Sequence, residues 1–120
     1  MKKKTKALLN QIVESIQDKK GKNITVVDLT DIEDTITDYF VICQGVTPNQ
    51  NSSIAHEVRD EVKKNLGDSP LSMDGIRNAE WIAIDFVNVV VHVFLPEMRE
   101  FYSLETLWAD AQLETVPDIE

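Results

Sequence analysis

A chain of 120 residues with 42% hydrophobic residues, 4 glycines and 4 prolines has enough apolar surface for one hydrophobic core and too little punctuation for a disordered polymer. Its formal charge of -9 repels phosphate backbones, which excludes nucleic-acid affinity driven by counterion release except at a local patch and favours a basic protein surface as partner. The single cysteine, Cys43, excludes an intramolecular disulfide and lies in the apolar run Tyr39 to Cys43, the setting of a buried thiol in a reducing compartment.

The lysines Lys2, Lys3, Lys4 and Lys6 form the densest basic cluster, which reads more naturally as a solvated helix end than as a nucleic-acid contact. Met1 to Lys6 leads into an amphipathic segment instead of a secretory apolar stretch, and no apolar run reaches bilayer-spanning length. A cytoplasmic protein with no membrane contact is the expectation. From Lys6 to Asp18, Leu8, Leu9, Ile12, Val13 and Ile16 recur at three- and four-residue spacing, predicting an amphipathic helix that Gly21 can end. Ile24, Val26, Val27 and Leu29 predict a first strand, and Tyr39 to Cys43 a second.

Thr47-Pro48-Asn49 supplies N-cap chemistry for a second helix, with Ile54, Ala55, Val58, Val62 and Leu66 on one side and Gly67 closing it. A short strand fits around Leu71 to Met73. Trp81 to Phe86 and Val89 to Phe94 read as a hairpin around Val87-Asn88, although that pair lacks the glycine such turns favour. Beyond Pro96, Glu97 to Tyr102 and Leu104 to Ala111 read as two short helices with Ser103 capping the second. The expected organisation is a single domain over residues 1–112 and a loose acidic tail over 113–120. The element order predicts an α/β or α+β fold, a mixed β-sheet with helices packed on it.

Strand side chains alternate, so a two-residue loop puts Ile82, Ile84, Phe86, Val89, Val91 and Val93 on one wholly apolar face. The opposite face collects Trp81, Ala83, Asp85, Val90, His92 and Phe94. Large aromatics mixed with an Asp and a His make poor core and poor wet surface alike. Either a helix covers this face and satisfies its polar groups internally, or the face docks a protein, with Arg99 and Tyr102 adding residue types enriched at interface centres.

His56 and His92 lie far apart with one cysteine between them, so neither a zinc site nor any other metal site is expected. No G-x-S-x-G elbow, Walker-type loop or G-x-G-x-x-G occurs, and no cofactor is expected. The near matches to metal-holding D-x-D spacing, Asp31-Ile32-Glu33 and Asp118-Ile119-Glu120, read better as solvated loop and tail acids.

Thr37-Asp38-Tyr39-Phe40-Val41-Ile42, the block Trp81 to Phe94, and Arg99-Glu100-Phe101-Tyr102-Ser103-Leu104-Glu105-Thr106-Leu107-Trp108 resemble, in order and spacing, the ribosomal silencing factor (Iojap-like) family. The resemblance covers roughly residues 5–111; Val87-Asn88 departs from it where many members carry Gly-Asp, leaving the turn type open. It implies a mixed-sheet fold similar to nucleotidyltransferases without their catalytic carboxylates, and no enzyme activity. It further implies binding to the large ribosomal subunit through ribosomal protein L-fourteen, steric blocking of subunit association, repression of translation, a role in large-subunit biogenesis, and a homodimer when free. On that reading Trp81, His92 and Phe94 supply contact area, Asp85, Glu97 and Arg99 orient the partner by paired charges, and Pro96 and Tyr102 shape the rim. The competing reading is a metal-dependent nucleotidyltransferase-like enzyme using Asp31 and Glu33.

Overall fold

Residues 3–33, 35, 37–107 and 111–118, which a computed structural model describes without the side chains of Lys3, Glu105 and Leu107, form six strands and four helices. Met1, Lys2, Trp108, Ile119 and Glu120 therefore lie outside the described residues, as do 109–110 within the expected last helix, whose expected final residue, Ala111, lies in a bend instead. Helix α1 spans Lys3–Asp18 and buries Leu8, Leu9, Ile12 and Ile16, the stripe its spacing predicts. Its end differs from expectation: Lys20, not Gly21, takes the left-handed turn (φ 62), while the Gly21 N–H donates to the Ile16 carbonyl at 2.9 Å. Gly21 is needed for close approach, since a Cβ there would stand 2.4 Å from Ile16 Cγ2.

Strand β1 spans Lys22–Asp28 and pairs antiparallel with β2, Tyr39–Gln44. Helix α2 spans Pro48–Leu66; the Thr47 hydroxyl accepts from the Gln50 N–H, Pro48 opens the first turn, and Gly67 (φ 69) ends it with its N–H on the Lys63 carbonyl. Each of these signals was legible in sequence because capping is local chemistry. A short strand β3, Ser72–Asp74, precedes the hairpin of β4, Trp81–Asp85, and β5, Val89–Phe94. Then come α3, Pro96–Tyr102, α4, Leu104–Leu107, and β6, Gln112–Val116.

The sheet order is β3-β4-β5-β2-β1-β6, antiparallel throughout except for the parallel β2–β5 pair. A mixed sheet carrying helices is the fold class expected. The tail is a correction: Gln112–Val116 forms an edge strand on β1, pairing Val27 with Leu113 and Ile24 with Val116, and Asp118 Oδ1 accepts from the Asn23 N–H at 3.0 Å. An open strand edge supplied the hydrogen-bond partners that local sequence could not reveal. Ser103 is a second correction. It ends α3 in a left-handed conformation (φ 46) with its N–H on the Arg99 carbonyl; it does stand at the head of α4, where its carbonyl accepts from the Thr106 N–H at 2.9 Å, but its hydroxyl donates back to the Glu100 carbonyl instead of accepting from the new helix.

Two apolar clusters flank the sheet. Ile82, Ile84, Phe86, Val89, Val91 and Val93, together with Val41 and Cys43, pack against α1 and α2, so the wholly apolar hairpin face is core as its alternation requires. Burial pushes the Cys43 thiol up to about 12, which leaves it inert as a nucleophile. On the other face Val27, Leu29, Ile42 and Phe94 form a smaller cluster, with Phe40, Trp81, Met98 and Leu104 partly buried around it. Among the described residues no helix is long and apolar enough to cross a membrane.

Candidate docking face

The face opposite α1 and α2 is assembled by register. Trp81 pairs with Phe94, Ala83 with His92 and Asp85 with Val90 on the hairpin, while Phe40, Ile42 and Gln44 of β2 stand beside Val90, His92 and Phe94. Asp85 pairs with Val90 and the Phe86 N–H donates to the Val89 carbonyl at 2.9 Å, which leaves Val87-Asn88 as a two-residue loop, the parity that puts Trp81, His92 and Phe94 on one side. The loop is built without glycine. Val87 adopts φ 76, the Asn88 N–H turns back onto the Phe86 carbonyl at 3.0 Å, and Asp85 Oδ1 accepts from the Val87 N–H at 2.7 Å. Part of the Asp85 charge is thus spent on bracing the turn.

The aromatic residues divide into a buried floor and an open shelf. Phe94 is 1% exposed and His92 7%, because α3, Met98 and Leu104 cover this part of the sheet. The expectation that these two rings present contact area is corrected by that cover. Above them Trp81 is half-buried and lies over Phe94 with ring centroids 5.0 Å apart. Tyr102, 41% exposed, follows at 4.6 Å from Trp81, and Phe101, 79% exposed, stands edge-on to Tyr102 at 5.1 Å. Sequence reasoning missed Phe101. The signal was present, since adjacent residues of a helix point about 100° apart and Phe101 and Tyr102 cannot both turn inward.

The Trp81 indole N–H donates to His92 Nδ1 at 3.0 Å, which puts the imidazole proton on Nε2. That Nε2 is buried with no hydrogen-bond partner among the described residues, and Phe40 stands edge-on to the ring at 4.9 Å. Desolvation pushes the His92 pKa down to about 4, so the ring is neutral at physiological pH. Helix α3 begins at Pro96, which fits a first helical turn because its missing N–H needs no partner there. Glu97 in the same turn is exposed and favourably placed against the helix dipole.

Arg99 serves a different purpose from the one expected. Its guanidinium donates to the Asn23 carbonyl, to Gln44 Oε1 at 3.3 Å and to Thr25 Oγ1 at 3.1 Å. It therefore ties α3 across the ends of β1 and β2 instead of facing outward. Asp31 and Glu33 sit in an exposed turn, and among the described residues no three His, Cys, Asp or Glu side chains gather as a metal site would require. What the face offers is apolar area and surrounding negative charge: Phe101, Tyr102 and Trp81 at the centre, with Glu97, Glu100 and Asp74 exposed on the elements around them.

Comparison with known proteins bears on the family and the fold. The family model described as "Ribosomal silencing factor during starvation" matches residues 2–120. The ribosomal silencing factor RsfS of Bacillus subtilis (strain 168) is 37% identical over 108 residues, covering 90% of this chain and 90% of that protein. The mouse protein named mitochondrial assembly of ribosomal large subunit protein 1 is 31% identical over 121 residues, covering 92% of this chain and 53% of the relative. A crystal structure from Chromobacterium violaceum superposes with a TM-score of 0.81 at 29% identity, covering 87% of this chain and 85% of that one. The chain belongs to the ribosomal silencing factor (Iojap-like) family.

Proposed function

We propose that this protein is a binding module without turnover that docks on the large ribosomal subunit through ribosomal protein L-fourteen, blocks joining of the small subunit and thereby represses translation in the cytoplasm. The observation that carries the reading is the exposed aromatic shelf of Phe101, Tyr102 and half-buried Trp81 on an otherwise helix-covered sheet face. Aromatic rings give large contact area at low entropic cost, which is why they concentrate at interface centres. A formal charge of -9 suits a basic ribosomal protein and speeds encounter with it. The contact set is Trp81, Tyr102 and Phe101, with Asp85, Pro96 and Glu97 at the margin and His92, Phe94 and Arg99 supporting from beneath. The name of the mouse relative supports a further part in large-subunit assembly, and the family resemblance adds a homodimer of the free protein.

Co-sedimentation with isolated subunits tests this. Binding to large subunits and not to small ones is expected. Tyr102→Ala and Phe101→Ala, at exposed positions, should each weaken it by about tenfold or more while leaving the free energy of unfolding within about 0.5 kcal/mol of the parent. Equal binding to both subunits, or unchanged affinity in both variants, would sink the reading.

A further inference from the structure

The face of the sheet that α1 and α2 cover is not covered to its edge. Helices α1 and α2 pack over β2, β4 and β5, and beyond α1 the same face of β1 and β6 stays open as a cleft of about 760 Å³. Its wall is the flank of α1, where Lys6, Asn10, Val13 and Gln17 recur at helical spacing, and its floor is Val26 and Asp28 of β1 with Glu114 and Val116 of β6. Val13, Val26 and Val116 are only partly buried against the core. Around these valines, among the described residues, the cleft carries three carboxylates, Glu14, Asp28 and Glu114, against one lysine, Lys6.

We propose that this cleft docks an amphipathic helix from a partner protein, its apolar stripe on Val13, Val26 and Val116 and its lysines or arginines facing Glu14, Asp28 and Glu114. A helix is the element that fits. The α1 flank from Lys6 to Gln17 runs roughly 17 Å, three helical turns, and a helix set beside α1 at the usual 8–10 Å would complete the layer over the sheet. The occupant is basic by charge complementarity, and a second copy of this acidic chain would bring carboxylates onto carboxylates. The cleft lies on the opposite side of the sheet from Trp81 and Tyr102, so both surfaces can be engaged at once.

The probe is a synthetic amphipathic peptide about four turns long, leucines on one face and lysines on both margins, beside a version with glutamates in place of the lysines. Two-dimensional amide NMR of the full chain should show lysine-peptide shifts confined to α1, β1 and β6, and none with the glutamate peptide. The double variant E14K/E114K changes two exposed side chains; with folding checked by circular dichroism, it should weaken peptide binding by about tenfold or more. Absence of shifts, shifts centred on α3 and the Trp81 shelf, or undiminished affinity in the double variant would each overturn the proposal. So would self-association that the double variant abolishes while the peptide fails to bind, which assigns the cleft to a second copy.

Discussion

Across the β4–β5 pair, the Trp81 indole N–H donates to His92 Nδ1 at 3.0 Å, joining the half-exposed shelf to the buried floor beneath it. The bond fixes which imidazole nitrogen carries the proton and holds the indole in place over Phe94. On the proposed docking, Trp81 would serve binding and folding together.

Trp81→Phe keeps an aromatic ring over Phe94 but leaves His92 Nδ1 without its donor. A buried acceptor left unpaired costs about 1–3 kcal/mol, so urea denaturation of this variant should show a loss of about 1–2 kcal/mol. Trp81→Ala also removes the packing and should lose more, towards the loss of about 2–5 kcal/mol typical of the core control Ile84→Ala. A Trp81→Phe protein as stable as the parent would mean that the hydrogen bond contributes nothing to folding.

His92 makes stability depend on pH. Its folded pKa, about 4, lies below the 6.5 of the free side chain, so between these values the unfolded chain binds the proton and the folded one does not. Stability is fully present above pH 6.5 and falls as the pH drops towards 4, by about 3 kcal/mol over the whole window. His92→Gln should be less stable at neutral pH and lack this component of the acid slope. An imidazole resonance of His92 titrating near 6.5 in NMR would contradict the burial argument.

Arg99→Met removes the guanidinium that links α3 to Asn23, Thr25 and Gln44. Hydrogen bonds from a charged donor are worth about 1.5–3 kcal/mol when buried, less here because the side chain is only half-buried. A loss of about 2 kcal/mol is expected. Hydrogen exchange should show α3 amides losing protection while α2 amides keep theirs relative to global unfolding. Uniform loss over both helices would assign Arg99 a general role in stability instead of a hold on α3.

Val87→Gly should stabilise the protein. A β-branched residue at φ 76 is strained by about 1–2 kcal/mol, whereas glycine adopts that region freely and loses only about 0.5–1 kcal/mol of additional chain entropy. A net gain of up to about 1 kcal/mol in thermal or denaturant unfolding is expected. A destabilised variant would show that the exposed valine makes contacts that outweigh its strain.

Much of this fold was legible because the controlling interactions are local. The caps Thr47 and Gly67, the stripe of α1 and the alternation of Ile82, Ile84, Val91 and Val93 follow from helical and strand periods, which depend on residues a few positions apart. The same parity put Trp81 and His92 on one face before any partner strand was known. Resemblance across the Trp81 to Phe94 block carried the family, which composition and spacing could not have supplied.

Tertiary structure alone decided what covers that face and what joins the sheet edge. Phe94 is buried because α3 folds over it, Phe101 projects outward while Tyr102 rests against Trp81, and half-buried Arg99 is held by acceptors 55 to 76 residues away in sequence. The segment read as a loose acidic tail became β6 because β1 presented an unpaired edge to it. Face coverage and edge pairing depend on segments brought together by packing of the whole chain, and unsatisfied backbone groups and exposed apolar area drive them without leaving a local pattern in sequence.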